Sequence, residues 1–288
     1  MAIHEQLAIL KQGVEVWNKW REEHSDTAID LSDAQLLAAN LSGANLAGAD
    51  LRRVDLKRAS LIRTDLNAAD LSEADLSTAY LRGADLRRAA LKGAALRGAN
   101  LSAANLSLAD MRQTTLDWAN LVRTVFHATR VDGASFSEAV LEDTVFIRTD
   151  LSRVFSLETC HHQGPSTLGT NTLAASRGRI PEGFLRGCGL SDWEIEAAKL
   201  FRPDLPNQEI IDTNYRVYDL RATRALQVFP LFISYSRHDS RFVDKIGDCL
   251  TQNGIRYWRD IHDMQSGRVE KQIDRAIRQN PTVLLVLS

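Results

Sequence analysis

Apolar residues recur at every fifth position from Leu31 to Leu151, and this period dominates the first half of the chain. Of the 25 positions 20 are Leu, and the residue two places earlier is Ala in 17 cases. Five residues advance an α-helix by about 500°, so the pattern makes no helical stripe. On a flat strand an odd period would alternate faces. A backbone that turns a quarter circle every five residues points all these side chains inward.

Four such sides close a coil of 20 residues, and coils stack at the strand spacing of about 4.8 Å. The 25 steps then give a rod of about six coils, roughly 30 Å long. AlaAspLeuSerGlu (69–73) and AlaAsnLeuSerAla (99–103) resemble the repeat unit of the pentapeptide-repeat family. This resemblance implies a β-solenoid, the right-handed quadrilateral β-helix of that family.

The segments that flank the repeat predict caps. Residues 3–23 predict an amphipathic helix, because Leu7, Leu10, Val14 and Trp17 follow steps of three and four. We expect this helix to cover the first coil. After Leu151 the period fails, and residues 156–181 are rich in loop-forming residues. Residues 191–194 predict a capping box that opens a helix to about residue 201. Residues 207–229 fit a helix or a strand.

Cys160, His161, His162 and Cys188 raise the question of a zinc site. Their spacing matches no standard pair of zinc ligands, and adjacent histidines rarely bind one ion together. A capping loop is the preferred interpretation, and no metal is expected.

Strand and helix patterns alternate from residue 230 onward. Strands are predicted at 231–235, 255–258 and 283–287, and helices at about 239–253 and 268–279. The first helix is expected to be capped by Asp239 or Ser240 and to bury Phe242 and Val243 among its apolar residues. Residues 259–267 are expected to form a polar loop. This order favours a parallel sheet with helices on its faces.

PheIleSerTyrSerArgHisAsp (232–239) resembles box 1 of a Toll/interleukin-1 receptor (TIR) domain in its bacterial form. GlyIleArgTyrTrpArgAsp (254–260) falls at the second strand of such a domain. AspIleHisAspMetGlnSerGly (260–267) falls at the BB loop that follows it. The resemblance covers roughly the first half of the domain and implies a partial α/β, flavodoxin-like TIR module.

The TIR resemblance implies either scaffolding by TIR–TIR contacts through the BB loop or cleavage of NAD at its nicotinamide–ribose bond. NAD is then a substrate, and no bound cofactor is expected. Such cleavage passes through an oxocarbenium-like state that a carboxylate can stabilise. The family's NAD-pocket positions fall on Tyr235, Ser236, Arg237 and Asp260, and its BB-loop contacts on Asp263, Met264 and Gly267.

The glutamate that the family's enzymes use lies on a helix after the third strand, where this sequence stops. Glu270 lies on the preceding helix and is not assigned that role, so the enzymatic activity stays open. Three strands alone would leave the third as an unpaired apolar edge. We expect a fragment of a longer protein; a natural truncation with a partner over this edge is the alternative.

The charge of the repeat region and the composition of the chain argue against some classes of function. Residues 31–151 hold 12 Asp and 3 Glu against 12 Arg and 2 Lys, a net charge of −1. A DNA-mimicking gyrase inhibitor needs a strongly acidic rod, so this known use of the family is disfavoured, and no nucleic-acid partner is expected. Three widely spaced cysteines, no apolar run of about 18 residues and no secretory signal predict a cytoplasmic protein without membrane contact.

The predicted organisation is a capping helix (1–29), a repeat rod (30–155), an adaptor with a short helix (156–229) and half of a TIR domain (230–288). The first functional hypothesis is a prokaryotic signalling or defence protein whose rod scaffolds or senses for a TIR effector. The alternative is a non-enzymatic scaffold. Expected partners are other TIR domains and a protein ligand on the rod whose identity the sequence does not give.

Overall fold

The computed structural model describes residues 3–228, 231–236, 242–246, 257–262 and 283–286, with the backbone alone for 222–228 and the three C-terminal strands. Contacts between residues divide the chain into two compact units, residues 1–210 and 211–288. Each unit is described by itself.

The first unit is built on a solenoid with four sides to each coil. Parallel bridges join each residue of a ladder to the equivalent residue of the next coil, as in Asp30 with Asp50 and Asp50 with Asp70. All 25 apolar positions of the period are buried, none more than 4% exposed. Late in the rod the ladders lengthen into short strands: β1 (Val125–His127), β2 (Val140–Leu141) and β3 (Val145–Ile147). The predicted β-solenoid is therefore confirmed.

Each corner of the solenoid is a tight turn that explains the polar part of the repeat. In the first coil the turn closes by a hydrogen bond from Ala34 N to Leu31 O at 3.2 Å. Its third residue, Asp33, has φ near +60°, a left-handed conformation that recurs at this place in later turns. Where Asp or Asn precedes the Leu, its side chain accepts a hydrogen bond from the backbone N–H two residues on, as Asp30 does from Ser32. This bond stabilises the corner.

Some small inward positions hold Thr in place of Ala, and their hydroxyls are satisfied inside the core. Thr124 Oγ1 donates to Leu101 O at 2.8 Å, and Thr144 Oγ1 donates to Leu121 O at 2.9 Å. Both side chains are fully buried. A buried hydroxyl without a hydrogen bond would destabilise the rod. The spacing between neighbouring coils allows these hydrogen bonds, and Thr is therefore tolerated at these positions.

The N-terminal cap consists of two helices, α1 (His4–Leu10) and α2 (Val14–Glu23). The single helix predicted over residues 3–23 is wrong, because Gly13 takes φ near +122° and ends the helical path. The cap bonds the open edge of the first coil: Gln6 bonds Ala28 O and Asp30 N. The Trp17 indole also donates to a carbonyl of this coil, Asn45 O, at 2.8 Å.

The C-terminal cap continues the ladders but departs from the regular step between coils. Strand β4 (His161–His162) pairs with β2, one position beyond that step, and β5 (Thr167–Leu168) pairs with β3, two positions beyond it. Three short helices follow: α3 (Thr170–Ala175), α4 (Glu182–Gly187) and α5 (Asp192–Ala198). A 3-10 turn (Lys199–Phe201) extends α5. The capping box between Ser191 and Glu194 is present as predicted.

Aromatic rings join this cap to the solenoid core. Phe126 stacks on Phe146 with centroids 5.0 Å apart, and Phe184 of α4 meets Phe146 edge-on at 6.0 Å. Phe184 is 1% exposed. The core of the rod therefore continues into the cap without a break, as sealing an open coil requires.

Residues 207–228 form one long helix, α6 (Asn207–Val228), which settles the open choice between helix and strand. The second unit contains β6 (Leu231–Ser236), β7 (Tyr257–His262) and β8 (Val283–Val286), all parallel, in the order β7-β6-β8. Residues 242–246 are helical. Val243 is buried as expected, but Phe242 is 58% exposed, so its expected burial is wrong.

Candidate functional site

The carboxyl end of the C-terminal sheet is the first candidate site. Strand β6 lies in the centre, and its last residues pair on both sides: Tyr235 with Ile261 of β7 and with Val286 of β8. The order second, first, third strand is the start of the flavodoxin-like order, in which ligands bind beside the first strand at the carboxyl ends. Tyr235 and Ser236 occupy that end of β6.

Asp260 lies deeper in the sheet than expected. It pairs with Ser234, two positions before β7 ends at His262. The predicted end of this strand at residue 258 and the predicted start of the loop at residue 259 are therefore wrong. The cause is the length of β6, along which β7 pairs its backbone groups as far as Ser236 and His262.

The other predicted site residues lie outside the described residues. These are Arg237 of the expected NAD pocket and Asp263, Met264 and Gly267 of the expected BB loop. The helix predicted at 268–279 lies outside them too. The structure therefore brings Tyr235, Ser236 and Asp260 to neighbouring strands, and the assignments of all these residues to an NAD pocket or a BB loop stay predictions.

Cys160 and both histidines of the C-terminal cap contact other groups of the protein. His161 Nε2 lies 2.6 Å from Glu138 Oε2, and the Cys160 thiol donates to Phe136 O at 3.4 Å. His162 packs edge-on against Phe184, and burial lowers its pKa. Burial also raises the thiol pKa of Cys160 and of Cys188 to about 12. Across the described part of the chain, no cluster of three or more His, Cys, Asp or Glu side chains could hold a metal ion.

A cavity of about 170 Å³ lies in the same cap, between α3, α4 and α5. Its lining is largely apolar and includes Leu173, Ile180 and Ile195. Lys199 at this cavity bonds Glu196 at 2.7 Å and Glu182 at 3.0 Å, which raises its pKa. Because two carboxylates already bind this ammonium, the cavity offers no free charge to a ligand.

The outer surface of the rod carries mixed charge, much of it neutralised locally. Arg52, Arg87 and Arg112 each bond the Asp two residues earlier, and these bonds hold the carboxyl pKa values of their partners below the usual range. Tyr80 and Trp118 differ from the charged and small residues of this surface, because each is a large aromatic side chain that is about half exposed. The fivefold period by itself does not predict them. Tyr80 could have been found because it stands where the repeat usually has Asp or Asn.

No helix in the described ranges is both long enough and apolar enough to cross a membrane.

The fold and the repeat define a pentapeptide-type β-solenoid followed by a parallel α/β segment. The family model for pentapeptide repeats matches residues 29–67, 39–77, 59–98, 79–117 and 119–155. The model for the TIR domain matches residues 231–288. The chain therefore belongs to the pentapeptide-repeat proteins and carries a TIR-domain segment after its repeats.

Solved structures of pentapeptide-repeat proteins are similar in sequence to parts of the chain. HetL, involved in heterocyst differentiation regulation in the cyanobacterium Nostoc sp. strain PCC 7120, is 32% identical over 48% of this chain and 71% of its own, with a TM-score of 0.22. Rfr23 from the cyanobacterium Cyanothece 51142 is 27% identical over 41% and 95%, with a TM-score of 0.28. The protein alr5209 from Nostoc PCC 7120 is 39% identical over 31% and 69%, with a TM-score of 0.26. No curated protein matches the chain significantly.

Proposed function

We propose that the protein is a prokaryotic signalling or defence protein in which the repeat rod binds a protein ligand and the TIR module carries the output. The observation that carries this proposal is the joining, in one chain, of a capped solenoid to a TIR-type segment. Both kinds of module commonly mediate protein–protein contacts. The right-handed winding of the rod, the flavodoxin-like completion of the sheet and a cytoplasmic location belong to the same proposal.

The proposed output is hydrolysis of NAD at the nicotinamide–ribose bond by a completed TIR domain. Tyr235 and Ser236, at the carboxyl end of the central strand, would contact the substrate, and Arg237 would bind a phosphate through charge-assisted hydrogen bonds. Asp260 on the neighbouring strand is the acidic residue of this pocket. The family's glutamate is expected after the third strand, so the proposal assigns hydrolysis to a TIR domain that includes this glutamate.

The experiment compares two purified proteins, residues 1–288 and a chain extended past Ser288 so that its TIR domain is complete. Each is incubated with NAD, and released nicotinamide is quantified. We expect release by the extended chain alone, and loss of release on Tyr235→Ala or Asp260→Asn. Glu270→Gln is the matched control and should leave the rate unchanged. No release by the extended chain would remove the hydrolase proposal.

The second candidate function is a scaffold without enzymatic activity, in which the rod and the BB loop both bind proteins. It is favoured by the joining, in one chain, of two kinds of module that commonly mediate protein–protein contacts. Its partners would be other TIR domains, contacted through Asp263, Met264 and Gly267. This candidate predicts that the extended chain binds a TIR domain, that Gly267→Glu weakens this binding, and that neither protein releases nicotinamide.

A further inference from the structure

One face of the rod differs from the other three in charge. It consists of the residues on the ladder of Tyr80 and the three residues after each of them: 40–43, 60–63, 80–83, 100–103, 120–123 and 140–143. From residue 40 to residue 123 this face has three arginines and no acidic residue. Each of the other faces already carries at least two aspartates in its first four coils. We call it the Tyr80 face.

Two arginines of the Tyr80 face are not neutralised. Arg63 and Arg82 are exposed and form no ion pair with any residue that the structure describes, whereas Arg53 on another face binds Asp33 at 2.8 Å. They lie in adjacent coils, joined by the hydrogen bond from Arg63 N to Arg82 O. The positive charge of this surface therefore stays available to a partner.

Large side chains are exposed beside these arginines. Tyr80 is 53% exposed, Ile62 is 36% exposed and Trp118, on the corner turn that leads onto the face, is 50% exposed. The Arg97 guanidinium lies over the Trp118 ring, 4.2 Å from its centroid. This cation–π contact holds both side chains at the surface.

The stacking of the coils sets the distance between the two aromatic residues. Thr78, Gly98 and Trp118 follow one another in successive coils, so Tyr80 and Trp118 lie two coils apart, about 9.6 Å along the rod. Gly98 lies in the coil between them and contributes no side chain. Both backbone groups of Tyr80 bond the preceding coil: its N–H donates to Ala59 O, and its carbonyl accepts from Leu61 N. The backbone at Tyr80 is therefore held in the solenoid before any partner binds.

We propose that this surface, the Tyr80–Trp118 patch (Ile62, Arg63, Tyr80, Arg82, Arg97 and Trp118), binds an acidic segment of a protein. Trp, Tyr and Arg are the residues that dominate binding energy at protein interfaces. Because the arginines here lack carboxylates, the partner supplies them, together with apolar groups for the aromatic rings. Scattered single residues such as Leu108 elsewhere on the rod do not form such a cluster.

A nucleic acid is the less suitable occupant. Three arginines spread over five coils neutralise few phosphates, and the neighbouring faces carry Asp65, Asp75 and Asp85. Phosphate backbones require a denser and more continuous row of cations. The proposal of a peptide-binding patch rests on the proposed function, since it names the class of ligand that the same rod binds.

The test is a selection from a random 16-residue peptide display library on the full chain. We expect the selected peptides to be rich in Asp and Glu and to bind more weakly as salt is raised. Tyr80→Ser, Trp118→Ser and Arg82→Gln should each weaken a selected peptide by about tenfold or more. Leu108→Ser and Arg88→Gln, exposed on another face, are the matched controls and should leave affinity unchanged.

Three results would overturn the proposal: an empty selection, peptides without acidic enrichment, or equal binding by the patch variants. A 16-nucleotide single-stranded DNA serves as a second probe, and binding that Arg82→Gln abolishes would assign the patch to nucleic acid instead. The selection and the patch variants report peptide binding and not nicotinamide release. Its failure is therefore distinguishable from failure of the proposed TIR output, which the nicotinamide measurement reports.

Discussion

Two glycines of one short helix, α4, provide a matched test of how the C-terminal cap seals the rod. A Cβ added to Gly187 would lie 2.2 Å from His162 Cδ2 and 2.5 Å from its Cγ and Nε2. A Cβ added to Gly183 would meet no atom within 4 Å. The two Gly→Ala substitutions change the same helix by the same atom, so their difference isolates the contact with His162.

The His162 ring has little room to move away. Phe184 packs against it with centroids 5.1 Å apart, and its backbone pairs with β2. A methyl group forced into this contact should destabilise the cap by about 1–3 kcal/mol. Gly183→Ala should instead stabilise it by up to about 0.5–1 kcal/mol, because alanine restricts the unfolded chain and favours the helix.

Amide hydrogen exchange of peptides from residues 161–190, measured in the full chain, reports the opening free energy of the cap. We expect exchange about 5 to 150 times faster in Gly187→Ala than in the unmodified protein, and equal or slower exchange in Gly183→Ala. Adding His162→Ala to Gly187→Ala should recover part of the loss. Equal exchange in the two glycine variants would refute the packing of β4 against α4.

Three further predictions concern the core and the buried titratable groups. Leu96 is fully buried, so Leu96→Ala should lower the free energy of unfolding, measured by urea denaturation, by about 2–5 kcal/mol. Leu108 is exposed, so Leu108→Ala should change this free energy by less than about 0.5 kcal/mol. Equal effects of the two substitutions would contradict the inward register. Burial depresses the pKa of His162 below its ordinary value of 6.5. The cap should therefore have full stability above pH 6.5 and lose stability as the pH falls below 6.5 towards the pKa of the folded state. Exchange rates that depend on pH equally in the unmodified protein and in His162→Leu would contradict this prediction. Because burial raises the thiol pKa of Cys160 and of Cys188 to about 12, iodoacetamide at pH 8 should alkylate these thiols only after denaturation. Peptide mapping by mass spectrometry that finds them alkylated in the folded protein would disprove their burial.

The coil could be predicted from the sequence because the same constraint recurs at every fifth position. Every fifth residue must be an apolar side chain that points inward and every corner needs a turn, so a replacement of Leu such as Met111 does not change the period. The caps lack this redundancy. The steps that lead to β4 and β5 are one and two positions longer than the step between regular coils, and nothing in the sequence around His161 or Thr167 marks the added residues.

Single residues decided the other differences. Gly13 divides the N-terminal helix because its positive φ interrupts the path, although the apolar steps continue across it from Leu10 to Val14. The length of β7 depends on its neighbour β6, which local sequence does not report. The Tyr80–Trp118 patch needed a comparison of equivalent positions across coils, and the period itself could have supplied that comparison.

The main prediction is that binding of a ligand to the rod changes the output of the TIR module. It is tested most directly by nicotinamide release from NAD, at sub-saturating NAD, by the chain extended past Ser288 with and without a saturating acidic peptide selected on the patch. The account predicts a change in rate of about fivefold or more that Tyr80→Ser abolishes and Leu108→Ser preserves. An unchanged rate with the peptide bound would contradict the claim.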